Sequence, residues 1–272
     1  MLESALRRWN LIPESPPVHT VSGCVVMVRR RGERLVLKLP RAGDETSARR
    51  VLAHYDGAGA VRIVDYAGDG AVLLERAWPG EPLTTRVLAG DDDGATAILC
   101  AVARRLHRRA PSRQRFARIE DWGLGFQRHR AAGHGGIPAH LLDHGEKVFV
   151  ELAKSQGQRR LLHGDLHHDN ILFDAARGWL AIDPNGVLGE PAYEFGAALR
   201  NPTEDPARFA TREIIERRIA IIAREAGVDQ QRLLGWTFAQ AVLSAVWSIE
   251  DGLDPARGLA TAVATLPLVA EA

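Results

Sequence analysis

Apolar positions along this chain change their period, and the change divides it. Cys24 to Val28 is a short run rich in β-formers, and Arg29 to Glu33, with Gly32, reads as a hairpin turn. Arg34 to Leu39 follows as a second strand. Leu35, Leu37 and Leu39 share one face of it, and Val36 and Lys38 share the other. From Asp44, a plausible N-cap, apolar residues then fall at Ala48, Val51, Leu52 and Tyr55, which is helical spacing ended by Gly57 and Gly59. Two further strands are expected at 61–66 and 71–76, around Gly68-Asp69-Gly70. Trp78-Pro79-Gly80 then breaks the pattern as a linker would.

Beyond residue 90 the period is helical. Ala95, Ile98, Leu99, Val102 and Leu106 form one apolar face, and Arg104, Arg105, Arg108 and Arg109 crowd its C-terminal end, where cations complement the helix dipole. Helical patterns recur near 139–155, 207–226, 229–251 and 256–266, around a polar, strand-bearing stretch at 161–190. The expectation is an α+β chain with its elements segregated. A small antiparallel-sheet lobe with one helix covers residues 1–77, and a larger, mainly helical lobe covers 78–272.

Composition narrows the class of partner. Lys plus Arg number 35 against 34 Asp plus Glu, so the near-neutral balance gives no electrostatic reason to expect nucleic acid. Cys24 and Cys100 are the only cysteines, too few for a disulfide framework, and are expected as reduced, buried thiols. No apolar run reaches the ~18 residues of a membrane span. Met1 to Asn10 does not read as a signal peptide. A cytoplasmic protein with no membrane association and no obligatory protein partner is expected.

Chemistry concentrates in Leu161-Leu162-His163-Gly164-Asp165-Leu166-His167-His168-Asp169-Asn170-Ile171-Leu172 and in Ile182-Asp183-Pro184. Polar residues held between apolar strands need a reason to be there. Asp165 and Asn170 are five apart, and Asp183 follows at the end of the next strand. Phosphoryl transfer needs a carboxylate to orient an acceptor hydroxyl and take its proton. It also needs an amide oxygen and a second carboxylate to hold Mg²⁺ on a triphosphate. An Asp-x-x-x-x-Asn spacing followed by a metal Asp meets that need in protein kinases. Lys38, inside an apolar strand, needs a partner, and Glu45 on the following helix is positioned to supply one. Ser22 and Gly23 lie in a loop that could cover phosphates with its backbone. The Glu75 carbonyl and the Ala77 N–H could pair with adenine.

His163-Gly164-Asp165-Leu166-His167-His168-Asp169-Asn170 with Ile182-Asp183-Pro184 resembles the aminoglycoside phosphotransferases, in their streptomycin 6-kinase and hydroxyurea-resistance kinase branch. Gly57 to Arg62, Leu73 to Ala77 leading into Pro79-Gly80, Arg177 to Leu180, Gly189-Glu190 and Leu243 to Trp247 are similar to that branch as well. The resemblance implies a protein-kinase-like two-lobed fold, with residues 1–77 binding nucleotide and 78–272 carrying catalysis and the acceptor. It implies Asp165 as catalytic base, Asn170 and Asp183 as Mg²⁺ ligands, Lys38 on the phosphates with Glu45 as its partner, and Glu75 and Ala77 at the adenine. It implies ATP as donor, GTP being the alternative, and a small-molecule hydroxyl as acceptor. Pro184 stands where protein kinases carry Phe, which argues for an enzyme without activation-loop control.

A cationic, polyhydroxylated acceptor calls for acids, and Glu190, Glu194, Glu250 and Asp251 are the candidates, with Trp247 one turn earlier. Two rival readings stand beside this one. His163, Asp165, His167, His168 and Asp169 have the residue types of a zinc hydrolase, and a kinase-like chain can serve as a non-catalytic binding module. Within the kinase reading, another aminoglycoside, a macrolide, choline or a sugar could replace streptomycin as acceptor.

Overall fold

The computed structural model describes residues 1–20, 23–40, 47–109, 116–202 and 205–270. They form two compact units: Met1–Glu81 with Leu172–Asn185, and Pro82–Ile171 with Gly186–Ala272. Residues 172–185, expected with the helical part, thus count with the first unit.

The first unit opens with α1 (Leu2–Arg8), β1 (Ile12–Pro13), β2 (Val18–Thr20), β3 (Gly23–Arg30) and β4 (Glu33–Pro40). It continues with α2 (Ser47–Tyr55), β5 (Ile63–Tyr66), β6 (Val72–Glu75) and β7 (Pro79–Pro82). The sheet runs β1-β3-β4-β6-β5, with β2 also on β3, and its pairs are antiparallel. Arg31 and Gly32 close the β3–β4 hairpin as a two-residue loop with φ of 51° and 85°. Two positive φ values give the twist such a loop needs. Strand alternation sets the faces: Leu35, Leu37 and Leu39 are buried against Ala5, Trp9 and Leu11, while Val36 and Lys38 face a cavity on the other side. α1 was not visible in the sequence pattern. It is too short to hold itself together, and the burial of Ala5 and Trp9 on the sheet supplies what its length does not.

The chain continues through α3 (Thr84–Leu88), α4 (Asp92–Leu106), β8 (Ala117–Arg118), α5 (Ile119–Ala131), α6 (Ala139–Lys154) and β9 (Arg160–Leu162). It returns as β10 (Ile171–Asp174) and β11 (Gly178–Ala181), then leaves through β12 (Val187–Gly189), α7 (Gly196–Leu199), α8 (Pro206–Phe209), α9 (Arg212–Ala226), α10 (Gln230–Glu250) and α11 (Ala256–Ala270). β7 pairs with β10 in the order β11-β10-β7, so Pro79–Pro82, expected as a plain linker, is an edge strand. In the second unit β12 lies between β8 and β9. α10 forms the axis, buried from Leu233 to Val246 except at Ser244, among Phe126, Phe149, Tyr193 and Ala262. Cys100 is buried, and burial pushes its thiol up to about 12; Cys24 is only half-buried.

Candidate active site

In the second unit β9 delivers the chain into the loop that follows Leu162. Gly164 takes φ 85°, a left-handed conformation that a side chain would strain. Leu166 is buried and anchors the middle of the loop, and His168–Asn170 form one 3₁₀ turn. The Asn170 Nδ2 donates to the Asp165 carbonyl at 2.9 Å. That bond spans the five-residue interval noted in the sequence, and among the described residues the Asn170 Oδ1 takes no hydrogen bond. Asp165 keeps a half-exposed carboxylate, 3.7 Å from the His167 Nε2. His167 Nδ1 lies 3.5 Å from Asp169, whose carboxylate also accepts from Thr84. The hydrogen bond from His167 holds the Asp169 carboxyl below its ordinary range. Burial, reinforced by the Arg218 charge, drives His168 down to about 3, so that ring is a neutral packing element.

Glu194 fixes this loop from beneath. Its fully buried carboxylate accepts the N–H groups of His163 at 2.7 Å and Gly164 at 2.9 Å, and lies 3.3 Å from the His107 Nε2. Burial by itself would push Glu194 up. The His107 hydrogen bond, the nearby histidines and the Gly164 N–H outweigh it, and the group sits below its ordinary value. The His163 carbonyl accepts from the Gly186 N–H at 2.9 Å, so the start of the loop is held at both backbone groups.

The first unit carries the other predicted residues around a cavity of about 230 Å³. Val25, Met27, Val36, Leu74, Leu172 and Ile182 give it apolar walls, and Lys38, Arg49, Glu75, Arg76 and Asp183 are its charged lining residues. The Lys38 ammonium is ion-paired with Asp183, so the strand lysine has found a carboxylate 145 positions away. Asp183 itself has φ 55°, an uncommon conformation for a residue with a side chain. Such conformations cost about 1–3 kcal/mol and persist where the surroundings over-determine them. The Ala181 N–H donates to the Gly59 carbonyl at 2.8 Å, and the Ser47 hydroxyl to the Asn185 carbonyl at 2.6 Å, which together pin the segment on both sides of Asp183.

Glu75 and Ala77 line the same cavity. Ala77 is buried, yet no described residue accepts a hydrogen bond from its N–H. A buried N–H of that kind needs a partner. The Glu75 carboxylate is ion-paired with Arg177, which also donates to the Gly57 and Ala60 carbonyls. Arg177 therefore ties the β10–β11 turn to the rim of the cavity, a role that only its long-range contacts reveal.

The remaining sequence candidates separate. Glu45 and Ser22 lie outside the described residues; Gly23 opens β3 and lies at the end of a β-pairing with Pro40. Glu190 and Glu194 differ from the expected acidic cleft. Glu190 is buried, held by Arg232 at 2.6 Å, by the Gly157 N–H at 3.2 Å and by the Trp236 indole. Both carboxylates are consumed by the fold and have no surface to offer an acceptor. Trp247 is half-buried, Glu250 accepts from Arg128 at 3.3 and 3.4 Å, and Asp251 caps the C-terminus of α10 in the open. Trp122, which stands against Gly164, escaped the sequence reading; an indole followed by Gly123 and Gly125 leaves no periodic signal.

Among the described residues no group of three or more His, Cys, Asp or Glu is placed to hold a metal ion, and the imidazoles of the zinc reading are spent on loop contacts and packing. Asn170 in the second unit and Asp183 in the first each carry an oxygen donor of the kind that hard cations such as Mg²⁺ take. No described helix is long and apolar enough to cross a membrane.

A family model described as aminoglycoside/hydroxyurea antibiotic resistance kinase matches residues 8–252. The streptomycin 3''-kinase of Klebsiella pneumoniae is 36% identical over 252 residues, which cover 91% of this chain and 92% of that protein. The streptomycin 6-kinase of Streptomyces glaucescens is 32% identical over 267 residues, covering 94% and 85%. A solved aminoglycoside phosphotransferase, APH(4)-Ia in ternary complex with ADP and hygromycin B, superposes with a TM-score of 0.66 at 16% identity, over 97% of this chain and 94% of that one. At that identity the likeness is one of fold, and the fold is the α+β, protein-kinase-like one.

Proposed function

Because the chain belongs to the aminoglycoside/hydroxyurea antibiotic resistance kinases, we propose that it moves the γ-phosphoryl group of ATP to a hydroxyl of an aminoglycoside such as streptomycin, inactivating the antibiotic. The observation that carries this reading is that Lys38 and Asp183 in the first unit and Asp165 in the second keep accessible charged groups. Lys38 and Asp183 are paired in the lining of the cavity, and Asp165 stays half-exposed on a loop tied by Asn170.

The first unit would bind the nucleotide. The cavity's apolar walls suit a purine, the Ala77 N–H and the Glu75 carbonyl supply a donor and an acceptor for its edge, and Lys38 takes the α- and β-phosphates. Asn170 and Asp183 would hold Mg²⁺, which neutralises charge on the triphosphate. In the second unit Asp165 accepts the proton of the acceptor hydroxyl while that oxygen bonds to the γ-phosphorus. The bond from phosphorus to the bridging oxygen breaks, and ADP leaves with the electron pair. Loop bonds from Glu194 and Asn170 keep Asp165 in position, and positioning provides most of the rate in this chemistry. GTP is the alternative donor, and the cytoplasm, where ATP is supplied, is the proposed location.

The two streptomycin kinases are named for different hydroxyls, 3'' and 6, so the hydroxyl used here is an experimental variable. Purified protein is incubated with Mg·ATP and a panel of aminoglycosides, sugars, choline and a macrolide, and products are read by mass spectrometry. Addition of one phosphoryl group to streptomycin is the expected result. Phosphate on choline or a sugar but on no aminoglycoside would overturn the acceptor and keep the transfer. No product with any acceptor would overturn the proposal.

A further inference from the structure

Trp122, on α5, touches the backbone that carries Asp165. A Cβ placed on Gly164 would lie 2.7 Å from the Trp122 Cη2 and 3.5 Å from its Cζ2, so the indole rim occupies the space where Gly164 has no side chain. Trp247, on α10, stands edge-on to Trp122 with ring centroids 5.8 Å apart and planes at 87°. The packing behind the pair is tight. Gly123 abuts the Phe149 ring, and a Cβ on Gly125 would lie 3.0 Å from Leu243 Cδ1 and 3.1 Å from Trp247 Nε1. No side chain of α5 therefore separates the two helices there, and the indoles are fixed by the helices rather than by a loop.

The inner side of Trp122 packs on Tyr193 at 6.0 Å, yet both indoles remain half-buried. One turn beyond Trp247, Glu250 already holds a guanidinium, that of the solvent-exposed Arg128, at 3.3 Å. It does so at the C-terminal end of α10, where the last carbonyls add negative potential. An aromatic wall next to a half-exposed carboxylate, with a cation site one turn away, has the chemistry of a site for a ring that is apolar on its C–H face and positively charged at its edge.

Resting on the phosphotransfer reading above, we infer that Trp122 and Trp247 form the wall of the acceptor subsite. They take the C–H face of a guanidinium- or ammonium-bearing cyclitol or sugar, and Glu250 takes the cation from the position Arg128 now occupies. Trp122 is then a specificity residue that binds the acceptor ring without entering the reaction.

The test is steady-state kinetics with streptomycin and Mg·ATP on the wild type, Trp122→Ala and Trp122→Phe, each checked for cooperative thermal unfolding. Trp122→Ala is expected to raise the streptomycin KM about 10-fold or more with kcat within about threefold and the ATP KM unchanged. Trp122→Phe, which keeps an aromatic face, is expected to fall between it and wild type. A wild type that phosphorylates no aminoglycoside would overturn the functional reading and this inference with it. A wild type that does so, beside a Trp122→Ala variant with an unchanged streptomycin KM, would overturn the aromatic wall alone. So would a variant that loses kcat at constant KM, since the indole would then merely support the Gly164 backbone.

Discussion

Glu194→Gln replaces one carboxylate oxygen by an NH₂ at a site where donors converge. In the native protein the Oε2 accepts the His163 N–H at 2.7 Å and the Oε1 accepts the Gly164 N–H at 2.9 Å, with His107 beside them. Glutamine has one acceptor oxygen, so one backbone N–H must face another donor and goes unpaired in a fully buried setting. A hydrogen bond to a charged group contributes about 1.5–3 kcal/mol, and an unpaired buried donor adds a desolvation cost of similar size when its partner is lost. A loss of about 2–3 kcal/mol is expected, and at roughly 2–4 °C per kcal/mol for a chain of this size class it lowers Tm by about 4–12 °C. Asp165 is one residue past Gly164, so the loop that carries the proposed base loosens. Misplacement of a catalytic group by ~1 Å costs on the order of 10²-fold; kcat is expected to fall about 10–100-fold while the ATP KM holds. Differential scanning calorimetry and steady-state kinetics read both effects. The pH dependence has a definite sign. The folded Glu194 carboxyl lies below its ordinary value of 4.5, so its stabilisation is complete above that value and is lost as pH falls through the folded pKa. Wild type should therefore lose Tm faster than Glu194→Gln on acidification below about pH 4.5. A Glu194→Gln variant with the melting curve, acid profile and kcat of wild type would refute the reasoning.

Asp165→Ala is expected to bind ATP normally and lose turnover by ~10²-fold or more; near-normal turnover would remove it from the role of base. Asp183→Ala should weaken Mg·ATP binding in a calorimetric titration, and unchanged affinity would count against metal ligation. Gly164→Ala forces a Cβ to 2.7 Å from the Trp122 Cη2 at φ 85°. The left-handed backbone alone costs about 1–2 kcal/mol, so Tm should drop. The double change with Trp122→Ala should recover the part due to the clash, and strict additivity of the two Tm losses would show that no such contact exists.

Much of the first unit was legible because its signals are local. The alternation of Leu35, Leu37 and Leu39 with Val36 and Lys38 is a period of two, and the pleat turns that period into a core face and a cavity face whatever the rest of the chain does. Gly32 marked the hairpin for the same reason. The Asp165 and Asn170 interval was also local, closed in the fold by a single hydrogen bond. α5 was not legible. Its Trp122-Gly123-Leu124-Gly125 run carries two glycines, each about 1 kcal/mol poorer than Ala in a helix, and Phe149, Leu243 and Trp247 hold it by close approach.

What the amino-acid order determined by itself, then, was the spacing of the candidate residues along the loops and the strand faces that carry them. The tertiary structure alone decided which acids were free to act. Glu190 and Glu194 read as two of four similar acids for a cationic acceptor. One is consumed by Arg232, 42 positions away, and the other by backbone groups 30 and 31 positions away. Period and propensity report on neighbours within a few residues, whereas the partner of a buried charge is set by which distant segments pack together, and burial makes finding that partner obligatory.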